Sequence, residues 1–271
     1  MVDVEELIVR LGTPDPRTRI GAAWDLLSSA VSQKADIRAA IPALADALSD
    51  NKLTVRKYSA GALRWVAAYQ GADISIAISA LAKALSDPDA DVRISSAEAL
   101  DLAAIRGAGM SVAIPALADA LSDNKLTVRK YSAGALRWVA ANRGADMTAA
   151  MPALVKALSD PDADVRLEVA WALERTVQNL EGGIRECTSL NQLDRTESRF
   201  REQYSVLRTR CWYGKERELE RIGLAFSKLM NETAKRRDAL AANRDVLLED
   251  VLRPPKDGTK IYHEMRRARN A

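Results

Sequence analysis

The residues of this chain best suited to chemistry form a repeated pattern of aromatic and cationic side chains. Arg64 and Trp65 lie in the segment Ala40–Ala68, which recurs without a difference over 29 residues at Ala113–Ala141. Trp, Tyr and Arg are the residue types most enriched among the energetically dominant residues of protein interfaces. The pattern therefore predicts a binding surface rather than a catalytic centre.

Helical spacing places the large side chains of each copy on one stripe. They stand at positions i, i+1, i+4, i+7 and i+8, opposite the apolar stripe of the same helix. The same registers elsewhere in the chain add further Trp, Glu and Asp residues. The predicted partner-binding residues are Trp24, Lys57, Tyr58, Arg64, Trp65, Glu98, Asp101, Lys130, Tyr131, Arg137, Trp138 and Trp171. Gly61 and Gly134 stand between the Tyr and the Trp of each copy, which predicts a notch between two aromatic walls.

The same residues also have a purely structural interpretation. The aromatic side chains could seal junctions between units, and the glycines could serve only to bring helices close together. Arg64, Asp101 and Arg137 could pair with one another as a solvated row of charges. A recent duplication would explain the identity of the two copies without selection. The sequence leaves both interpretations open.

Groups for catalysis or metal binding are scarce. The one histidine, His263, is close to the C-terminal end, and nothing in the sequence places it near Cys187 or Cys211 to form a nucleophile–base pair. The acidic "DPDAD" segments at 87–91 and 160–164 lack the spacing of a calcium loop and fit helix starts better. We therefore expect a non-enzymatic protein without a catalytic residue, metal or cofactor.

Charge and composition narrow the classes of partner. Residues 1–180 carry 20 basic and 22 acidic side chains, a net −2, whereas residues 181–271 carry 20 and 15, a net +5. A groove that follows phosphates should be clearly basic, so nucleic acid is disfavoured as a partner. The chain has no apolar run of the roughly 18–20 residues that span a bilayer. With two cysteines and an acidic start, "MVDVEELIVRL", a cytoplasmic location is expected.

The elements that position these residues come from an internal repeat. "IPALADALSD" at 41 and 114, "ISALAKALSD" at 78 and "MPALVKALSD" at 151 are spaced by 37, 36 and 37 residues. Each unit has two helical patterns separated by Asp, Asn or Pro, and two short helices must stack on neighbouring units to bury their apolar stripes. The units are predicted near 1–36, 37–73, 74–109, 110–146 and 147–180, as an all-α solenoid of about five helix pairs.

These units resemble HEAT repeats, in particular the short bacterial form often labelled PBS-lyase-like. The marks are a proline in the first helix (Pro42, Pro115 and Pro152), a turn aspartate, and an arginine six residues after it. The resemblance implies a ladder between neighbouring units and a concave face formed by the second helices. The ladder residues are Asp50, Arg56, Asp87, Arg93, Asp123, Arg129, Asp160 and Arg166.

The resemblance leaves several functions open. The principal expectation is a scaffold whose concave face binds a protein or peptide. HEAT-like DNA glycosylases use a catalytic aspartate on an aromatic and basic face, and Asp101 stands between Arg64 and Arg137 in the repeat register. A bilin lyase or isomerase role follows only from the family label. HEAT-like hydroxylases bind iron through repeated His-Glu pairs. This chain has one such pair, His263–Glu264, outside the repeats, which argues against a hydroxylase.

The last third of the chain has no repeat period. Its apolar residues predict a helical hairpin over 181–253, ended by Pro254 and Pro255, and then a basic tail over 254–271. The hairpin is expected to cap the last unit; the alternative is that it pairs with another chain as a homo-oligomer.

Overall fold

The computed structural model describes residues 3–142, 145–186, 188, 192–194, 224 and 227–242. Regular structure in these residues is entirely helical, as the repeat pattern predicted, and the all-α solenoid is confirmed. The helices are α1 (Val4–Leu11), α2 (Pro16–Gln33), α3 (Ile41–Ala47), α4 (Leu53–Tyr69), α5 (Ile78–Ala84), α6 (Ala90–Ile105), α7 (Ile114–Ala120), α8 (Leu126–Ala141), α9 (Met151–Ala157) and α10 (Ala163–Glu186). A three-residue 3-10 turn precedes each of α3, α5, α7 and α9.

The helices form five pairs, each with a short first helix and a longer second one. Proline in the first turn starts α3, α7 and α9, where its missing N–H has no partner to lose. Side-chain caps start two of the second helices, since Asp15 accepts from Thr18 N and Asp89 accepts from Val92 N. The boundaries thus follow from local residue chemistry before any packing is considered.

Two rows of leucine carry the core through the array. Leu26, Leu63, Leu100, Leu136 and Leu173 occupy one register of the second helices, and all are fully buried. Leu44, Leu81, Leu117 and Leu154 do the same on the first helices of units two to five. Burial of each side chain is worth about 1.5–3 kcal/mol. Each second helix packs along the second helices before and after it, more extensively than neighbouring first helices pack on each other.

A ladder of ion pairs joins successive units on the turn side. Arg56 Nε lies 2.6 Å from Asp87 Oδ2, and Arg129 Nε lies 2.7 Å from Asp160 Oδ2. Arg19–Asp50 and Arg93–Asp123 repeat the geometry at 2.5 and 2.7 Å. Each of these arginines also donates through Nη1 to a turn carbonyl of its own unit. Every rung therefore ties the turn of one unit to the turn of the next.

The last helix runs further than the repeat pattern indicates. α10 continues to Glu186, whereas the sequence placed the end of the array at 180. Two glycines in "NLEGGIRE" do not end it, although each costs about 1 kcal/mol in a helix. Ile184, just after them, is fully buried, and its packing offsets part of that cost.

Part of the C-terminal third is also described. Leu193 and Leu229 are fully buried and belong to the same apolar cluster as the array. A helical stretch at 227–242 lies beside 192–194, since Arg237 Nη2 donates to Asp194 Oδ1 at 2.7 Å. The rest of the predicted hairpin, the basic tail and Cys187, Cys211 and His263 lie outside the described residues.

Candidate functional site

The structure places the predicted partner-binding residues on the five second helices. Trp24 on α2 is half exposed, and its ring centroid lies 5.1 Å from that of Tyr58 on α4. Trp65, Trp138 and Trp171 are partly buried, each with some surface left in solvent. The indoles therefore line the face while also packing between neighbouring helices, so the binding and sealing interpretations both describe part of their environment.

The two lysines of this face are paired with aspartates of the following unit. Lys57 Nζ lies 2.5 Å from Asp91 Oδ2, and Lys130 Nζ lies 2.5 Å from Asp164 Oδ2. The hydrogen bond to the aspartate raises the pKa of each lysine. Because each ammonium has a carboxylate beside it, the lysines do not form a free basic track.

The junction between α4 and α6 is filled by its own side chains. Arg64 Nη1 donates to Glu98 Oε1 and Oε2 at 3.3 and 3.2 Å. Tyr131, from α8, comes close to Glu98, and burial raises the pKa of the Tyr131 hydroxyl. The Trp65 ring lies 4.0 Å, centroid to centroid, from the ring of Tyr69. The terminal Nη1 atom of Arg64 is thus paired within the junction, while the buried Arg64 Nε has no hydrogen-bond partner among the described residues.

The junction between α8 and α10 is different, although α8 repeats the sequence of α4. The Arg137 Cζ atom lies 4.4 Å from the ring centroid of Trp138 and 4.8 Å from that of Trp171. Its Nε atom lies 3.0 Å from Glu168 Oε2. Arg137 is therefore held by one ion pair and two aromatic faces.

An open cavity of about 380 Å³ adjoins this arginine. We call it the α8–α10 cavity. Its walls carry two indoles, two guanidiniums, one carboxylate and one amide. The lining residues are Arg137, Trp138, Ala141, Trp171, Glu174, Arg175 and Gln178. The mixture of apolar walls and a few polar groups is typical of sites that hold small ligands or single side chains.

Asp101 occupies the centre of the face, between the two junctions. Its Oδ1 atom is buried and has no hydrogen-bond partner among the described residues. Burial, and then the nearby Glu168 carboxylate, raise the pKa of Asp101 to about 7, against the opposing effect of Arg137. Arg64 and Arg137 bind Glu98 and Glu168 instead, so the predicted pairing among Arg64, Asp101 and Arg137 is wrong.

The predicted notch beside each glycine is also wrong. Gly61 and Gly134 are buried, and a side chain of the preceding unit fills the space above each. A Cβ atom on Gly61 would lie 3.4 Å from Leu27 Cδ2, and one on Gly134 would lie 2.8 Å from Asp101 Oδ1. Gly134 allows α8 to lie close to Asp101 of α6, as the structural interpretation proposed, whereas Gly61 leaves room for a methyl group in contact with Leu27.

Glu168, which pairs with Arg137, and several residues that line the cavity were absent from the predicted set. Glu168 stands in the register that holds tyrosine in units two and four, and this exchange was the signal that could have identified it. Glu174 and Arg175 lie one turn beyond Trp171, on the same face. Their position was visible in the register, but only the structure shows the cavity between them and α8.

The described residues contain no group of three or more His, Cys, Asp or Glu side chains placed to hold a metal ion. None of the helices in the same part of the chain is long and apolar enough to cross a membrane.

Comparisons with known proteins agree with the fold. The family model for HEAT repeats matches residues 4–101 and again 78–174. The crystal structure of an engineered protein is 22% identical, with a TM-score of 0.56 over 87% of this chain and 98% of the other. A designed armadillo repeat protein in complex with the peptide (KR)4 is 20% identical, with a TM-score of 0.54 over 84% and 99%. No curated protein matches the chain.

A third structure, the complex of CpcE and CpcF of phycocyanin lyase from Nostoc sp., is 19% identical over 84% of this chain and 95% of the other. Its TM-score of 0.43 is too low to carry an argument about function. The structural comparisons show the fold alone. The two matches to the family model together span residues 4–174 of 271, so the chain belongs to the HEAT-repeat family.

Proposed function

We propose that this protein is a non-enzymatic scaffold that binds a peptide segment of a partner protein on the face of its second helices. The observation that carries the proposal is the α8–α10 cavity, where Trp138 and Trp171 form walls around a guanidinium fixed by Glu168. A fixed cation with aromatic walls is a common centre of protein interfaces, because little side-chain entropy is lost on binding.

The charges of the face favour a protein partner over nucleic acid. Lys57, Lys130, Arg64 and Arg137 each lie against a carboxylate of the following unit. A carboxylate already neutralises each of these four side chains, so a run of phosphates along the face would gain little from contacts with them. A peptide can use the apolar walls and needs only one or two charged contacts.

The fold supports the same conclusion. The second helices of a solenoid present a continuous surface along several units, which suits an extended segment. The designed armadillo repeat protein of similar fold was solved with a peptide bound. In this chain the cavity would anchor one or two residues of such a segment, since about 380 Å³ is near the lower end of the range for small-ligand sites.

Selection from a random peptide library displayed on phage, followed by calorimetry with the selected peptides, tests the proposal. We expect peptides that bind the wild-type protein and lose at least about tenfold in affinity with Trp138→Ala, which removes one wall. Ile76→Ala is the control, because Ile76 is a 67% exposed apolar residue on the turn before α5.

Circular dichroism and melting of each variant show whether it folds. Selection of no peptide, or equal binding by the wild type and a folded Trp138→Ala variant, contradicts the proposal.

A further inference from the structure

The two identical segments place their tryptophans in different environments. Identity ends after Ala68 and Ala141, where Tyr69 in one copy corresponds to Asn142 in the other. Tyr69 packs on Trp65 with the ring centroids 4.0 Å apart, and so covers part of that indole. Asn142 has no ring to cover Trp138, which instead lines the α8–α10 cavity. The first residue beyond the repeat therefore contributes to whether the indole is covered or faces a cavity.

The two arginines differ in the same way. The helix that faces Arg64 offers Glu98, which accepts from its terminal Nη1 atom. At the equivalent position the helix that faces Arg137 offers Trp171, and the anion there, Glu168, contacts Nε instead. Within the described part of the chain, the terminal nitrogens of Arg137 donate no hydrogen bond. Nη1 and Nη2 together can bind the two oxygens of a carboxylate.

The side chains that line the cavity have a positive sum of charge, and the Glu168 carboxylate, which is not among them, lies 3.0 Å from Arg137 Nε. Arg137 and Arg175 contribute two guanidiniums, and Glu174 contributes one carboxylate. Arg175 is exposed, and its Nη1 atom donates to Gln178 Oε1 at 3.0 Å. A ligand cation would meet these two guanidiniums at short range, whereas an anion would be attracted by both.

We propose that the α8–α10 cavity binds an acidic peptide segment, in which an Asp or Glu carboxylate contacts Arg137 and a neighbouring apolar side chain packs on Trp138 and Trp171. The inference rests on the proposed function and specifies the ligand of the same site. The equivalent surface in unit two does not bind the segment, because Tyr69 packs on Trp65 and Glu98 pairs with Arg64.

Paired synthetic peptides test the ligand class. Each pair has Leu or Phe beside Asp or Glu in one member and beside Asn or Gln in the other, with all other residues the same. Binding of the labelled peptides to the full chain is measured by fluorescence polarisation. We expect the acidic member to bind at least about tenfold more tightly, as a charge-assisted bidentate contact implies.

Variants of the two arginines locate the contact. Arg137→Gln should abolish the preference for the acidic member, and Arg137→Lys, which keeps the charge but not the fork of donors, should reduce it several-fold. Arg64→Gln is the matched control, since the same residue in the identical segment is already bound to Glu98, and the preference should stay within about twofold of wild type.

The possible outcomes distinguish a wrong ligand class from a wrong proposed function. If peptides bind and Trp138→Ala abolishes binding, but the acidic and neutral members bind equally or basic peptides bind best, the ligand class is wrong and the proposed function stands. Equal effects of Arg64→Gln and Arg137→Gln place the contact elsewhere and overturn the inference. If no peptide of any charge binds, both proposals fail.

Discussion

Replacement of Asp101 by asparagine should stabilise the protein at neutral pH. The carboxylate is largely buried at the centre of the second-helix face, and burial together with Glu168 raises its pKa to about 7 from an ordinary value of 3.8. The charged groups that face it are Glu98 on its own helix, Arg137 on α8 and Glu168 on α10. Only Arg137 favours the ionised form.

The direction in which stability changes with pH follows from proton binding by Asp101. The folded protein holds the Asp101 proton more tightly than the unfolded chain, so its contribution to stability is complete below about pH 4 and is lost as the pH rises through about 7. The pKa difference of about three units between the folded and unfolded states corresponds to about 4 kcal/mol of stability, at 1.36 kcal/mol per unit. Asp101 keeps some contact with solvent, which makes this an upper limit. We expect Asp101→Asn to gain roughly 2–4 kcal/mol over wild type between about pH 4 and about pH 8.

Urea unfolding followed by circular dichroism, at several pH values, measures this difference directly. The exposed Asp119 on α7 provides the control: Asp119→Asn should follow the wild-type pH profile. A difference between Asp101→Asn and wild type that does not change with pH, or that grows toward acid, refutes the reasoning.

Four other substitutions test the packing between units. Gly61→Ala should raise the unfolding free energy by about 0.5–1 kcal/mol, since the new Cβ meets only Leu27 at 3.4 Å. Gly134→Ala should give no such increase in unfolding free energy, because its Cβ would lie 2.8 Å from Asp101 Oδ1. Equal effects of the two glycine variants in urea unfolding would contradict this difference in packing. Arg129→Ala breaks a rung whose side chains are only 14% and 6% exposed, and should cost about 2–4 kcal/mol in urea unfolding. Lys130→Ala breaks a pair with an aspartate that is 66% exposed, and should lower the unfolding free energy by much less than Arg129→Ala does. A larger loss than that of Arg129→Ala would contradict the ladder.

The repeat was predictable from the sequence because its determinants are local. Proline in the first turn, aspartate at the turns and leucine at fixed registers each act within one unit or between adjacent units. A period of 36 or 37 residues then fixes how units stack. The repeat period does not give the end of α10, because the helix continues past two glycines to Ile184, whose burial no local signal reveals.

The binding surface was predictable only in part. Register alone placed Trp65 and Trp138 on the same face and gave them the same role. Their difference arises from Tyr69, which packs on Trp65, and from Trp171, which faces α8 where Glu98 faces α4. The notch predicted at the glycines failed for the same reason, since the side chain that fills each space belongs to the preceding unit. A stripe on one helix does not specify the side chains that the next helix places against it.

Binding in the α8–α10 cavity is tested most sharply by comparing the peptide affinities of Trp65→Ala and Trp138→Ala, two variants of one sequence motif. With peptides selected on the wild-type protein, calorimetry should give an affinity within about twofold of wild type for Trp65→Ala and at least about tenfold weaker for Trp138→Ala, while both variants keep the circular dichroism of the folded helices. Equal losses in the two folded variants, or a loss confined to Trp65→Ala, would contradict an α8–α10 cavity as the site of binding.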